Sequence, residues 1–546
     1  LNKYYIKIKF LYFIIIYMSK IIILSDDDNL LLKLFEKLDS NFVNNVTHIL
    51  ALKSDKSELS KIFKNTKIIT REEYTKGKQT NKCNAFDIHE MNNFLKIEQI
   101  FYRMLDFTDP DKNFNIHETR KIYYSLLFYM HDLLEESKPN LVFFTGMPHS
   151  PHDYILSALA ELKKIPIIYL RETNIPKLFC FSKTVTGSNS ILKNYKISNS
   201  SDIKDTENIL NNYVDTIKNE KRGNRFKIYS RWRDHSIIHG LTSRLNLKVG
   251  YLIFKLIRFV IFTKSCLRDF LKLIYLILIG KIKNLSSFKD FYFISDFFKS
   301  KKNSYENSKT SVLELNKIIY KNDLKKFKLF KEYKKNTTTY NSNDTYIFFP
   351  LHYQPEATNY PHGDVFIDQI LALKMLSSHL PEKLKILVKE HPDTFNLSRE
   401  AWIRGMFNRS FDFYSDLKSI PNLEIIPMNT DMNEVIDNSL AVASLTGSTC
   451  LEAVIRSKPA IIFGYPWYEG CKHIYPARTH EECEKALENI RNQVVEKDVK
   501  NFFREISQRL FVSKKVDIVG EQKYLDSDNE FKIMAECFKN EIKSLQ

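Results

Sequence analysis

Three short polar pieces decide the fold: Leu351-His352-Tyr353-Gln354-Pro355-Glu356, Lys389-Glu390-His391-Pro392 and Thr446-Gly447-Ser448-Thr449. Each follows an apolar run that is typical of a buried strand. The runs are Tyr346-Ile347-Phe348-Phe349, Leu384-Lys385-Ile386-Leu387-Val388 and Leu440-Ala441-Val442-Ala443-Ser444-Leu445. In a doubly wound α/β fold the carboxyl ends of parallel strands line one crevice, where ligands bind. The pattern therefore predicts a Rossmann-like domain with the three pieces at one edge of its sheet.

The piece Thr446-Gly447-Ser448-Thr449 runs directly into a helical pattern from Cys450 to Ile455. It would bring backbone N–H groups, hydroxyls and the positive end of a helix dipole to one point, which favours a phosphate. Thr449 and Glu452 also have capping-box spacing, which would satisfy the helix end without a ligand. Phosphate binding and simple capping are both open for this piece.

His391 follows its strand in the same way and adds an imidazole to the predicted edge. An imidazole can donate a hydrogen bond to a phosphate or protonate a leaving oxygen. A structural role for this histidine is the alternative. Lys389 would add positive charge at the same place, so the two pieces together favour an anionic ligand.

From Tyr346 onward the chain resembles the capsule polysaccharide biosynthesis proteins, bacterial glycosyltransferase-like proteins that include Kdo transferases using CMP-Kdo. Beyond the polar pieces, the residues that carry the resemblance are Gly363, Asp368-Gln369, Glu452-Ala453, Lys458-Pro459-Ala460 and Phe463-Gly464-Tyr465-Pro466-Trp467-Tyr468. The resemblance is thinner over residues 140–175 and does not cover the middle of the chain. It implies an α/β fold of the GT-B type, with two Rossmann-like domains facing a cleft.

This resemblance implies a glycosyltransferase of capsule or surface polysaccharide synthesis. Its donor would be a nucleotide-activated sugar, with CMP-Kdo or a related CMP-sugar favoured, and its acceptor a glycan or glycolipid, the lipid-linked form being favoured. His391 and the third polar piece would hold the donor phosphate, and Glu452 would bind the ribose hydroxyls. The implied donor-binding residues are Gln354, Lys389, Thr446, Gly447, Ser448, Thr449 and Glu452. No metal ion or other cofactor is expected.

A β-α-β unit is predicted from the strand Leu141–Phe144 through the helix Ile155–Lys164 to the strand Ile165–Leu170. Polar residues follow both strands, at the edge that should face the cleft. The segment that follows the first strand contains three residues that would form an acid-base cluster: His149, His152 and Asp153. In the alternative, Ser150 or Asp153 caps the helix and the histidines are exposed loop residues.

The second strand of this unit leads into Arg171-Glu172-Thr173-Asn174. The related transferases tend to place an acidic pair before a glycine here, and this sequence retains only the first carboxylate, Glu172. Either Glu172 or Asp153 would act on the acceptor as a base or, in a retaining reaction, as a nucleophile. The expected catalytic residues are therefore His391, Glu172 and Asp153.

The segment Met18-Ser19-Lys20 leads directly into a predicted first Rossmann strand, Ile21–Leu24. Residues 1–17 contain lysines and an apolar run too short to span a bilayer, without a cleavage signal. We interpret them as a mis-called start or an N-terminal extension. The three carboxylates after the strand, Asp26, Asp27 and Asp28, are expected to cap the next helix rather than bind a metal.

Composition narrows the class of protein. A chain of 546 residues can bury several cores, and its net charge of +17 implies attraction to an anionic partner. The seven cysteines are odd in number and lack C-x-x-C spacing, so neither disulfides nor a zinc site is indicated. The expected location is the cytoplasm, with a peripheral association at the inner face of the cytoplasmic membrane.

The chain divides into an extension (1–17), an N-terminal acceptor domain (18–190), a helical basic insertion (191–340), a C-terminal donor domain (341–490) and C-terminal helices (491–546). By analogy, the last segment should pack across both domains. Within the insertion, Gly250–Gly280 would form a helix with basic residues on one half and leucine and phenylalanine on the other. Such a helix lies on an anionic membrane surface or packs on its own domain.

Other functions remain open. A CDP-polyol phosphotransferase of the teichoic-acid type would share the fold and the His-Pro element, and a non-catalytic scaffold would explain the altered sequence after Glu172. A basic nucleic-acid-binding protein fits the charge, but no signature of such a module is present, so nucleic acid is not the expected partner. The sequence also lacks a P-loop and a G-x-G-x-x-G motif.

Overall fold

The fold is given by a computed structural model. It describes residues 20–51, 56–75, 86–108, 115–186, most of 191–219, eight residues between 252 and 267, and residues 312–353, 360–395, 409–512 and 528–545. This part contains two sheets, one of seven strands and one of six. Both are built mainly of parallel strands, so the predicted pair of Rossmann-like domains is confirmed.

The strands of the first half are β1 (Ile21–Leu24), β2 (Val46–Ala51), β3 (Lys67–Thr70), β4 (Leu141–Phe144), β5 (Ile167–Glu172) and β6 (Leu178–Ser182). The first five run parallel, and β6 pairs antiparallel with β5. Both β1 and β4 are buried along their whole length. Ile21 and Ile23 pack into one core while Ile22 and Leu24 pack into another, so both faces of the sheet are covered.

The helices of this half are α1 (Asp28–Phe35), α2 (Ser40–Asn44), α3 (Ser57–Ile62), α4 (Arg71–Thr75), α5 (Ile88–Thr108), α6 (Ile116–Ser137) and α7 (Pro151–Leu162). Asp27 caps α1 by accepting hydrogen bonds from two backbone N–H groups, which confirms capping for this aspartate. Helix α7 starts earlier than the predicted Ile155, because Ser150 and Asp153 form a capping box.

The second half contains β7 (Tyr346–Pro350), β8 (Lys385–Lys389), β9 (Leu423–Ile426), β10 (Ala441–Ser444), β11 (Ala460–Ile462) and β12 (Ile474–Pro476). The strand order is β12-β11-β10-β7-β8-β9, and every pair is parallel. Tyr346 and Phe348 face one core, whereas Ile347 and Phe349 face the other. The predicted strands before the three polar pieces are thus confirmed.

The remaining helices are α8 (Ser200–Asn219), α9 (Val312–Asn336), α10 (Gln369–Ser378), α11 (Phe413–Lys418), α12 (Met432–Asn438), α13 (Ser448–Ile455), α14 (His480–Asn489), α15 (Glu496–Ser507) and α16 (Asp528–Lys543). Short 3₁₀ turns span Ile191–Lys193, Asp364–Ile367 and Pro392–Phe395. The 3₁₀ turn at Asp364 is separate from α10 because Asp368 caps the helix.

The C-terminal segment returns to both halves. Helix α15 contributes Phe502 and Phe503 to a core of the second sheet. The short strand β13 (Phe511–Val512) then pairs antiparallel with β6, which makes it the edge of the first sheet. In α16 the ring of Phe538 lies 4.4 Å from that of Phe143 on β4. The expectation that this segment packs across both domains is confirmed.

Several expectations fall on residues outside the described part. They concern the start at Met18, residue Gln354 and most of Gly250–Gly280. The described residues between 252 and 267 are helical. Among the described helices, none is both long enough and apolar enough to cross a membrane. The domain boundaries stay a prediction.

Candidate functional site

The carboxyl edge of the second sheet brings the first and third polar pieces together. Strands β7 and β10 are neighbours where the strand order reverses, the position at which doubly wound sheets bind ligands. His352 follows β7, and its Nε2 lies 2.9 Å from Ser444 Oγ at the end of β10. The Thr446 N–H points at the same nitrogen over 3.4 Å. The two pieces therefore meet at the switch point of the sheet.

His352 is a buried, uncharged histidine. Burial lowers its pKa to about 3, and the nearby His391 and Arg409 side chains lower it further. Since the Thr446 N–H donates to Nε2, the ring proton is placed on Nδ1. The second polar piece lies near the first, because Arg409 donates both to Glu390 and to the His352 carbonyl. The ring of His391 also lies 5.4 Å from that of Tyr353.

Gly447 lies against the ring of His352. A Cβ at this position would be 2.9 Å from Ser444 Oγ and 3.3 Å from His352 Cε1. On its other side the Tyr468 hydroxyl donates to the Gly447 carbonyl at 2.6 Å. These contacts hold the loop before α13 in place and leave little room for a side chain.

Helix α13 begins at Ser448 with Gly447 as its N-cap, and no side chain of the described residues caps it. The predicted capping box is therefore wrong, because Thr449 lies inside the first turn. N–H groups at the start of a helix need another partner when no side chain caps them, and the helix dipole favours an anion there. The geometry favours the phosphate interpretation of this piece.

His391 is held through its own backbone by the preceding residue. Oε1 of Glu390 accepts the His391 N–H at 2.7 Å and the Thr394 hydroxyl at 3.0 Å. Oε2 accepts the Tyr414 hydroxyl at 2.8 Å. The Arg409 guanidinium donates to both oxygens, at 3.0 and 3.3 Å. Glu390 is thus a fully engaged carboxylate that fixes the start of the His-Pro loop.

The Glu390–Arg409 pair also reaches the first polar piece, since Arg409 donates to the His352 carbonyl at 2.9 Å. Both side chains are almost completely buried. Burial disfavours both charges, but their mutual attraction outweighs it, so the pKa of Glu390 is lowered and the pKa of Arg409 is raised. One buried ion pair therefore fixes the loops after β7 and β8 relative to each other.

Two further predicted donor residues, Lys389 and Glu452, are buried. Lys389 is the last residue of β8 and is buried, and Glu452 is buried one turn into α13. Gln354 lies outside the described residues. Roles for these three residues stay predictions.

On the first sheet, Asp153 is fully buried at the start of α7. Its Oδ2 accepts the Ser150 N–H at 3.2 Å, and its Oδ1 lies 2.9 Å from His152 Nε2. Burial opposes ionisation of Asp153, but the adjacent His152 holds the pKa of this carboxyl below its usual range. The cap contact of Oδ2 and the close approach of His152 to Oδ1 would have to change before this carboxylate could act as a base. That role stays a prediction.

His149 is half-exposed, and its Nδ1 lies 3.5 Å from Asp26 Oδ2. Ligand atoms of Asp26, His149 and Asp153 all lie within 4.8 Å of one another. The sequence predicted caps for the aspartates after β1, and only Asp27 has that role for α1. Asp26 instead lies against His149, which is in the loop after β4.

Glu172 is exposed at the carboxyl end of β5. The preceding Arg171 is buried and donates to the Tyr465 carbonyl at 3.0 Å, in the loop after β11. The end of β5 therefore touches the second half of the molecule. Glu172 is the next residue along the chain, and its catalytic role stays a prediction.

Residues 288–486 match the family model described as capsule polysaccharide biosynthesis protein. This part of the chain is similar to the capsule polysaccharide biosynthesis proteins. The match includes all three polar pieces and the strands β7 to β12. The resemblance based on the motifs is confirmed.

None of the curated proteins compared matches the chain. Among solved structures, the β-Kdo 2,7-transferase KpsC of Thermosulfurimonas dismutans is 11% identical, with 80% of this chain and 98% of that chain covered and a TM-score of 0.26. UDP-GlcNAc 2-epimerase of Methanocaldococcus jannaschii is 13% identical, with 87% of this chain and 94% of that chain covered and a TM-score of 0.22. The calicheamicin glycosyltransferase CalG4 is 8% identical, with 89% of this chain and 94% of that chain covered and a TM-score of 0.22. Likenesses this weak carry no information about activity.

The sequence patterns did not indicate that His352 and Arg409 would organise the proposed donor-binding edge of the second sheet. His352 was part of the first polar piece, but nothing in its spacing indicated that it would contact the loop after β10. Arg409 lies far from Glu390 along the chain. A carboxylate after a buried strand does signal the need for a cationic partner, yet only the fold shows which arginine supplies it.

Proposed function

We propose that the chain is a glycosyltransferase of capsule or surface polysaccharide synthesis that uses a nucleotide-activated sugar. The main support is the start of α13, which no described side chain caps and which lies at the switch point beside His352. The match of residues 288–486 to the capsule polysaccharide biosynthesis family model supports the same assignment. CMP-Kdo or a related CMP-sugar is the proposed donor.

In this proposal the donor phosphate binds at the N-terminus of α13. The Ser448 and Thr449 N–H groups and hydroxyls donate to its oxygens, and His391 donates from the neighbouring loop or protonates the phosphate oxygen as the sugar leaves. His352 is uncharged and buried, so it positions the Thr446 N–H instead of supplying a charge. Glu390 and Arg409 keep His391 in place.

The acceptor is proposed to bind between the two sheets, against the carboxyl end of β5. Glu172 is the better placed of the two candidate carboxylates, because it is exposed whereas Asp153 is buried and engaged. A carboxylate there would remove a proton from the acceptor hydroxyl or attack the sugar itself.

The donor is tested by thermal unfolding of the purified chain with CMP-Kdo, CDP-glycerol or UDP-GlcNAc. A ligand that binds only the folded state raises the melting temperature. Stabilisation by CMP-Kdo or its product CMP, lost in His391→Ala, is expected. Stabilisation by CDP-glycerol alone would favour a polyol phosphotransferase, and no response to any nucleotide would contradict the proposal.

We further propose that the helical residues between 252 and 267 bind an anionic membrane surface. Five apolar side chains on them are each more than half exposed: Leu252, Leu256, Phe259, Val260 and Leu267. The chain carries a net charge of +17, which favours an anionic surface. Such a surface would bring the enzyme to a lipid-linked acceptor.

Co-sedimentation with phosphatidylglycerol vesicles tests this. Replacing both Leu256 and Phe259 with Asp should reduce vesicle binding, whereas Leu95→Asp, an equally exposed apolar residue on α5, should not. Equal binding of the two variants would contradict a membrane role. A large drop in melting temperature of the double variant would mean that this helix packs within the protein.

A further inference from the structure

His379 and His480 form a pair of imidazoles away from the proposed donor site. His379 follows the last residue of α10, and His480 is the first residue of α14. His379 Nε2 lies 3.2 Å from His480 Nδ1, and the ring centroids are 5.0 Å apart. This contact between imidazole rings connects the end of α10 to the start of α14.

The backbone fixes which nitrogen of His379 carries the proton. His379 Nδ1 lies 2.9 Å from the Met375 carbonyl oxygen and donates to it, because a carbonyl only accepts. Nε2 of the neutral ring then directs a lone pair toward His480. A backbone carbonyl that holds the outer nitrogen of a histidine is also the common support of a metal-bound imidazole.

Glu484 adds a carboxylate one turn after His480, on the same face of α14. Its Oε1 lies 3.8 Å from His379 Nε2, and its side chain is 67% exposed. The carboxylate can therefore rotate toward the histidine pair without disturbing the core.

We propose that His379, His480 and Glu484 bind a divalent transition-metal ion, with Zn²⁺ as the preferred cation. Two nitrogen ligands about 2.0–2.1 Å from a tetrahedral zinc lie roughly 3.3–3.4 Å apart, so the observed pair needs little rearrangement. Imidazole and carboxylate ligands suit zinc, whereas magnesium and calcium prefer oxygen alone. Water completes the coordination, and the ion links the end of α10 to the start of α14.

The surroundings give the ion access from solvent. A cavity of about 490 Å³ is bordered by His379 and Glu484. It also contacts Thr345, Leu384 and Leu440, which precede β7, β8 and β10. The cavity thus lies at the amino edge of the second sheet, opposite the proposed phosphate site, and the metal would stabilise the domain without taking part in transfer.

Sequence patterns gave no sign of this site, because its ligands come from two helices a hundred residues apart in the chain. The competing explanation is a hydrogen bond from His480 Nδ1 to His379 Nε2, with no metal. The two explanations differ in whether the pair responds to zinc.

Calorimetric titration of the chelator-stripped full chain with Zn²⁺ tests the proposal. One equivalent should bind and raise the melting temperature, and Co²⁺ should give the visible absorption of a tetrahedral site. His379→Asn, which keeps a donor for the Met375 carbonyl, and His480→Ala should each weaken Zn²⁺ binding at least tenfold. Glu484→Gln should weaken it less.

His149→Ala is the control, because it breaks up Asp26, His149 and Asp153, whose potential ligand atoms lie within 4.8 Å of one another elsewhere in the described residues. It should leave zinc binding unchanged. Unchanged zinc binding in both His379→Asn and His480→Ala would overturn the proposal, as would the absence of any zinc binding to the wild-type chain. Neither result bears on donor binding, so the proposed transferase function is judged separately.

Discussion

His391 and Ser448 lie on loops after different strands, yet each can donate a hydrogen bond to one phosphate. A hydrogen bond to a charged group contributes about 1.5–3 kcal/mol, so His391→Ala should weaken CMP binding roughly tenfold to a hundredfold. Ser448→Ala should cost less, because the N–H groups of α13 remain. The double variant should deviate from additivity, since both residues would contact one ligand. CMP titration of the three variants measures these effects.

The same variants distinguish a structural role for His391. If the histidine only supports its loop, His391→Ala should lower the melting temperature and leave CMP affinity intact. That outcome would remove the central support for the proposed function.

Glu390 tests whether the buried ion pair positions His391. Glu390→Gln leaves the Arg409 charge buried without its partner, and removal of one partner of such a pair costs about 3–5 kcal/mol. The melting temperature should therefore fall. Replacing Glu390 with Gln and Arg409 with Met together removes both charges and should recover part of the stability, but not the donor affinity. Full recovery of CMP affinity in the double variant would contradict a positioning role.

At the scale of elements, the start of α13 differs from that of a helix with an ordinary cap. Thr449→Val keeps the side-chain volume and removes the hydroxyl, so unfolding free energy should change little. Asp431 does cap α12, through a 3.0 Å hydrogen bond from the Glu434 N–H, and Asp431→Ala should cost about 1 kcal/mol. Chemical denaturation of both variants makes the comparison. If Thr449→Val lost as much unfolding free energy as Asp431→Ala, the Thr449 hydroxyl would cap α13 after all.

Element prediction from the sequence succeeded where one strand or helix carries its own signal. The apolar run Tyr346-Ile347-Phe348-Phe349 predicts a buried strand because every side chain on it enters a core. Strand β13 has only two residues, and its partner β6 lies more than three hundred positions earlier, so no local pattern indicates it. The polar pieces were predicted to share an edge for a topological reason, but their contacts with His352 and Arg409 depend on side-chain packing.

At the scale of the whole molecule, the buried side chains of His362 and Arg171 join the two halves. His362 Nδ1 lies 3.2 Å from the Val185 carbonyl of the first half and donates to it, while the His362 carbonyl accepts the Tyr465 N–H at 3.0 Å. Arg171 donates to the Tyr465 carbonyl from the other side. Tyr465 is thereby fixed between β5 and the loop before α10, and this junction sets how the proposed donor and acceptor edges meet.

The junction should make stability depend on pH. Burial, together with the charge of Arg171, lowers the pKa of His362 to about 3, whereas a histidine in the unfolded chain titrates near 6.5. Between these values the unfolded chain binds a proton that the folded chain does not, so stability falls as the pH falls below about 6.5, by up to roughly 1.4 kcal/mol per pH unit for this histidine. Above that pH neither state binds the proton, and this contribution is constant.

His362→Asn isolates this effect, because asparagine can still donate to the Val185 carbonyl but does not titrate. The unfolding free energy of this variant should fall less steeply between pH 6.5 and 5 than that of the wild type. His352 has a pKa lowered to about 3 as well, so part of the pH dependence should remain. His117→Asn, at an exposed position of α6, should keep the wild-type slope. Denaturant titrations at several pH values give these slopes, and identical slopes for wild type and His362→Asn would mean that His362 takes up its proton without loss of the junction.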